Sequence, residues 1–188
     1  MLLVKRKWWT PCSPSLLGIA NIPYKERFLW ENLEPFVDGI TDAKPGFFDW
    51  SPPAQLDPRV REDLSRFIMP SNHSIAPILP NFFAEGKDPD GSVAVAKRQA
   101  LYNGTLGARA MHRIQPYGRE LTYDNNAYTI TSIYHYGVIR LYTVHLSPSN
   151  HPERFTDYHM VPLRSYILDN LDGFREGDHY TQKFSRLG

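Results

Sequence analysis

Residues 77–114, PILPNFFAEGK-DPDGS-VAVAKRQALYNGTLGARAMHRI, constrain the fold more than any other part of the chain. The first run, residues 76–87, is apolar and aromatic and reads as a strand. DPDGS is a turn, and Ser92 is the N-cap of the longest helix, over about residues 93–114. A buried strand that turns directly into a long helix is the core unit of a mixed α/β sheet.

In a strand, alternate side chains share a face. Phe83, Glu85 and Lys87 then lie on one side, and Phe82, Ala84 and Gly86 on the other. Both sides are apolar up to position 84, which predicts a central strand covered on both faces. Glu85 is therefore partly buried, and a buried carboxylate needs a partner. Lys87, one pleat along, is the nearest cation fixed by the chain itself. Two accounts fit: a structural ion pair, or a site where the carboxylate binds a hard cation and the ammonium steadies charge in a reaction.

On the helix, a rotation of about 100° per residue puts Val93, Ala96, Ala100, Gly104, Gly107, Met111 and Ile114 on one side. Most are small, so the helix can lie close to the sheet. Arg98, Tyr102, Thr105, Arg109, His112 and Arg113 gather opposite, with Gln99 on the border. No acidic residue occurs from Gly91 to Arg119. Such a face collects phosphates, or is simply solvated.

Before this unit, the spacing of Tyr24, Phe28, Leu29 and Leu33 predicts a helix over Tyr24–Phe36, ended by Pro35. Residues 44–50 read as a short strand. Asp57 and Pro58 open a short helix with Val60, Leu64, Phe67 and Ile68 on one side. After the long helix, AYTITSIY and VIRLYTVHL, separated by HYG, form a hairpin, and YHMVPL is a further strand. The sum is an α/β fold, a central mixed β-sheet flanked by helices.

Formal net charge is +1, so bulk charge does not announce a nucleic-acid binder. One cysteine, Cys12, makes neither an internal disulfide nor a thiol-rich metal site, which suits a reducing compartment. The run LLGIA is too short for a membrane helix, and Pro11 and Pro14 interrupt any signal peptide. The reading is a soluble intracellular protein, nuclear or cytoplasmic, with no membrane partner. His135, His145, His151 and His159 lack the helical spacing of a zinc protease and read as structural or exposed. Asp124, Asn125 and Asn126 read as a turn. There is no phosphate-binding glycine loop of the P-loop or dinucleotide type.

The phrases PGFFDW, LPNFFAEGKDPDGSVAVAKRQALYNGTLGARAMHRIQPYG and YDNNAYTITSIYHYGVIRLYTVH together resemble a fungal family of PD-(D/E)XK nuclease-like proteins, over roughly residues 45–168. The resemblance implies a restriction-endonuclease-like fold for residues 45–188, preceded by a diverged segment, 1–44, with one helix. It implies a metal-dependent phosphodiesterase site using Mg²⁺ and acting on DNA or RNA. Glu85 and Lys87 match the E-x-K pair, and Gln99, with Tyr102 after it, matches a supporting polar position on the next helix. Glu26, Glu31 and Glu34 are available where a first-helix glutamate often helps. The family's upstream Asp directly follows a Pro, and here Gly46 stands there. Asp49 is the nearest substitute as a second metal ligand. Arg98, Tyr102, Arg109 and Arg113 are the implied nucleic-acid contacts. The expected activity is phosphodiester hydrolysis, with a catalytically inactive nucleic-acid- or protein-binding relic as the alternative. A secreted protein acting on a host is a third and weaker fit.

Overall fold

The computed structural model describes residues 29–73 and 76–170, the backbone of Lys25–Glu26, and residues 172, 173, 175 and 176. Trp8, Trp9 and Cys12 lie outside the described residues. The described strands are β1 (Lys25–Glu26), β2 (Phe47–Phe48), β3 (Phe82–Lys87), β4 (Thr129–His135), β5 (Val138–Pro148) and β6 (Thr156–Ile167). They form one sheet in the order β1-β2-β3-β4-β5-β6. Only β3 and β4 run parallel; the other neighbours are antiparallel. The fold is mixed α/β.

Among the described residues the sheet is accompanied by the helices α1 (Pro58–Asp63), α2 (Ser65–Ile68) and α3 (Val93–Ile114), with a 3-10 turn at Pro53–Gln55 before α1. A parallel pair needs a crossover, and α3 is that crossover. Ser92 Oγ accepts from Val95 N–H, and Asp57 Oδ1 accepts from Arg59 N–H at the start of α1, the caps expected from sequence. The hairpin closes through Tyr136 and Gly137, with φ of 50° and 74°. Positive φ at both central residues is the turn whose twist matches its strands.

Gly104 and Gly107 set the spacing between α3 and the sheet. A Cβ on Gly104 would lie 2.6 Å from Thr131 Cγ2 and 2.7 Å from Val144 Cγ2. One on Gly107 would lie 2.7 Å from Phe83 Cε2 and 2.9 Å from the Pro80 carbonyl oxygen. No side chain fits either gap, which explains two glycines inside a 22-residue helix despite their cost of about 1 kcal/mol each.

The helix predicted over Tyr24–Phe36 is absent from its described part. Residues 29–36 run irregularly, and Lys25–Glu26 pair with β2. The amides of Trp30, Asn32 and Glu34 donate outward, to the carbonyls of Ala43, Pro70 and Arg66. Tertiary burial overrides the helical spacing. Trp30 is 1% exposed and meets Phe48 at 5.1 Å and Phe83 at 5.6 Å between ring centroids. Trp30, Leu33 and Ala43 thus share one core with Phe48, Phe83 and Leu106, across the boundary read at residue 44.

The outer side of α3 also departs from expectation. Thr105 and Arg109 are buried there, because the 30–43 segment and Phe67 cover that half of the helix. Among the described residues, no helix is long and apolar enough to cross a membrane.

Candidate functional site

Glu85 sits on β3 where the aromatic half of the strand ends, and it is 4% exposed. Strand alternation turns it to the same side as Phe83, toward α3. Its Oε1 accepts two hydrogen bonds, from Gly46 N–H at 3.1 Å and from Asn103 Nδ2 at 2.7 Å. β2 supplies the first donor because Phe47 pairs with Ala84, which brings Gly46 alongside Glu85. α3 supplies the second, since Asn103 precedes Gly104 at the point where the helix lies closest to the sheet.

Burial raises the Glu85 pKa above the ordinary glutamate range. The Gly46 amide, the Lys87 charge and the Asn103 amide act against this in that order, and burial outweighs them. Lys87 is half-buried on the same face, as expected. It is not in ion-pair contact, however. Among the described residues the one ion pair is Arg154–Asp157, at 2.7 Å. Glu85 is satisfied by amides rather than by the lysine.

Gly46 has a further relation to the glutamate. A Cβ built on it would stand 3.3 Å from Glu85 Oε2 and 3.3 Å from the Ala84 carbonyl oxygen. A side chain at position 46 would therefore reach the second oxygen of Glu85. The chain has none.

Asp49 does not take that place. Its Oδ1 accepts from the amides of Asn81, at 3.0 Å, and Phe82, at 2.9 Å. It staples the start of β3, about 10 Å along the strand from Glu85 at ordinary strand rise. The expectation that Asp49 shares an ion with Glu85 is corrected: three residues is an odd step, and the carboxylate is committed to backbone donors. The described residues contain no group of three or more His, Cys, Asp and Glu side chains able to hold a metal ion. Mg²⁺ takes about six oxygen ligands in near-octahedral array. One buried carboxylate, with one oxygen filled by two N–H donors and a lysine nearby, does not fit it.

The helix residues divide. Gln99 is half-buried one turn before Asn103, and its buried Oε1 has no hydrogen-bond partner among the described residues. It belongs to the Glu85 face. Tyr102 does not: its hydroxyl donates to the Thr41 carbonyl at 3.1 Å, and its ring packs on Phe36. Arg109 is 7% exposed, donates to the Glu34 carbonyl, and lies 4.3 Å over the Phe36 ring. Desolvation lowers its pKa, with Tyr158 and Glu34 opposing. Arg113 lies 4.5 Å over Phe67. Arg98 is exposed. The four expected phosphate contacts are therefore not one surface: Tyr102 and Arg109 are committed to the interior, and only Arg98, with its neighbour Lys97, is free in solvent. Glu31 and Glu34 are exposed and lie on no helix.

The sequence reading missed Asn103 and the Gly46 amide. Asn103 carried a signal, since it is four residues after Gln99 and so on the same helix face. No family model, curated protein or solved structure matches this chain.

Proposed function

We propose that the chain is a nuclease-like α/β domain, of restriction-endonuclease type, that has kept the E-x-K strand and lost the metal-binding half of the site, and that it acts as a binding module. One observation supports this above the others: the position aimed at Glu85 Oε2 is a glycine, and its amide holds Oε1 at 3.1 Å. The glutamate serves as a buried acceptor joining β2, β3 and α3. Lys97 and Arg98, exposed on a helix without acidic residues, are the residues left to meet a nucleic acid.

The test is incubation of the purified chain with DNA and RNA, with and without Mg²⁺, beside binding by fluorescence anisotropy. The reading expects no cleavage, and salt-sensitive binding weakened by Lys97→Glu with Arg98→Glu. Mg²⁺-dependent cleavage abolished by both Glu85→Ala and Lys87→Ala would replace it. That second reading, hydrolysis around a loosely held Mg²⁺ with Gln99 orienting the site, is favoured by Lys87 on the Glu85 face and by the unpartnered Gln99 Oε1.

A further inference from the structure

The sheet face turned away from α3 carries two histidines side by side. Along β5, Tyr142, Val144 and Leu146 are buried among residues that include Ala96, Ala100 and Ala108 of α3. Alternation then turns Thr143, His145 and Ser147 to the opposite face. In the register with β6, His145 stands directly opposite His159, and Ser147 opposite Asp157. The two imidazole centroids are 5.0 Å apart, with ring planes 23° from parallel. His159 Nε2 is 2.8 Å from Ser147 Oγ. His145 is half-buried and His159 exposed, so both rings are held by the sheet and open to solvent.

We propose that His145 and His159 form a two-histidine site for a divalent cation of the Zn²⁺, Cu²⁺ and Ni²⁺ class, with water completing the shell. Imidazole nitrogens suit these ions, and hard Mg²⁺ prefers oxygen. An ion bound at the usual 2.0–2.1 Å lies about 3.1 Å from each ring centre, so two imidazoles in tetrahedral array have centroids about 5 Å apart. The observed separation is of that size; the rings now stack, and both must turn about their side-chain torsions to bring one nitrogen of each toward a shared ion. Ser147 supplies the outer partner that fixes a metal-binding histidine. When its oxygen accepts from Nε2–H, the lone pair of His159 is on Nδ1, free for the ion. Asp157 lies beside Ser147 across the strands and pairs with Arg154 at 2.7 Å. The site shares no residue with the Glu85 cluster, so neither reading depends on the other.

Calorimetric titration of the full chain with ZnCl₂ alone tests this. One equivalent of Zn²⁺ is expected to bind, with affinity weakened about tenfold or more by His145→Phe, which keeps a ring in place, and by His159→Gln at the exposed position. Glu85→Gln is expected to leave it unchanged. In the unmodified chain, substoichiometric Cu²⁺ should broaden the NMR signals of His145 and His159 before those of His135 and His151, a readout that needs no variant. Absence of saturable Zn²⁺ binding overturns the proposal. So does undiminished affinity in the folded variants, or broadening that begins at another histidine.

Discussion

Replacing Gly46 with Asp puts a carboxylate where the structure aims a side chain at Glu85. Gly46 has no positive φ, so its backbone torsions admit an aspartate, with a tight 3.3 Å contact between the new Cβ and the Ala84 carbonyl oxygen. Its Cβ would stand 3.3 Å from Glu85 Oε2. With the new oxygens reaching beyond that carbon, the two charges come to about 4 Å, and at an effective dielectric of 20 they repel by about 4 kcal/mol. Protonation of one carboxyl limits the loss, so Gly46→Asp is expected to cost about 2–4 kcal/mol at pH 8 and less at pH 5. A divalent ion that bridges the pair reverses the sign. At a hundredfold excess over its Kd, Mg²⁺ would return about 2.7 kcal/mol. Urea unfolding followed by circular dichroism, at both pH values and with and without Mg²⁺, reads all of this. The unmodified chain should gain nothing from Mg²⁺. If Gly46→Asp is as stable as the unmodified chain at pH 8, or if Mg²⁺ stabilises both equally, the placement of position 46 against Glu85 is wrong.

Glu85→Gln should keep the Oε1 acceptor while removing a charge that burial disfavours. Because the folded pKa of Glu85 lies above its ordinary 4.5, the folded chain binds more protons just above that pH, and the stability Glu85 contributes falls as pH rises from about 4.5 through the folded pKa. The Gln variant should therefore gain on the unmodified chain over that interval in denaturation curves taken from pH 4 to pH 8; parallel curves would count against burial as the dominant cause. Asp49→Ala leaves the buried amides of Asn81 and Phe82 without their carboxylate and should cost about 2–4 kcal/mol in the same assay, while the pH dependence assigned to Glu85 persists. Gly104→Ala should destabilise by up to about 2 kcal/mol, overpacking of about 1–3 set against a helix gain of about 1. Gly107→Ala should cost more, since the atom it meets at 2.9 Å is the Pro80 carbonyl oxygen, which is backbone. A more stable Gly104→Ala would refute the close approach of α3.

The strand, cap and helix of residues 82–114 were legible because their signals are local, an apolar run, DPDGS, and a Ser92 cap reproduced by the structure, although the strand read over 76–87 begins only at Phe82, since Ile78 makes a single bridge to Ser51 instead. The hairpin was legible for the same reason. The first segment was not. Its spacing fits a helix, but Trp30, Asn32 and Glu34 find hydrogen-bond partners far along the chain, and Trp30 finds a core that local pattern does not encode. Glu85 as a buried acid and Lys87 on its face follow from strand alternation alone. What holds Glu85 does not, since Gly46 and Asn103 approach from two other elements. Arg109 misled for a related reason: helical periodicity assigns a face to a residue without saying what will cover that face.

The strap formed by residues 29–43 makes residue 44 an unsafe place to cut. A chain starting there would keep the whole resemblance block, yet it would lose Trp30, Leu33 and Ala43 and open the pocket lined by Phe48, Phe83 and Leu106. It would also strip Arg109 of the Glu34 carbonyl and the Phe36 ring and open that side of the long helix, Phe67 included, to solvent. Shortened versions beginning at residue 44 should aggregate on expression, and their failure would say nothing about Glu85.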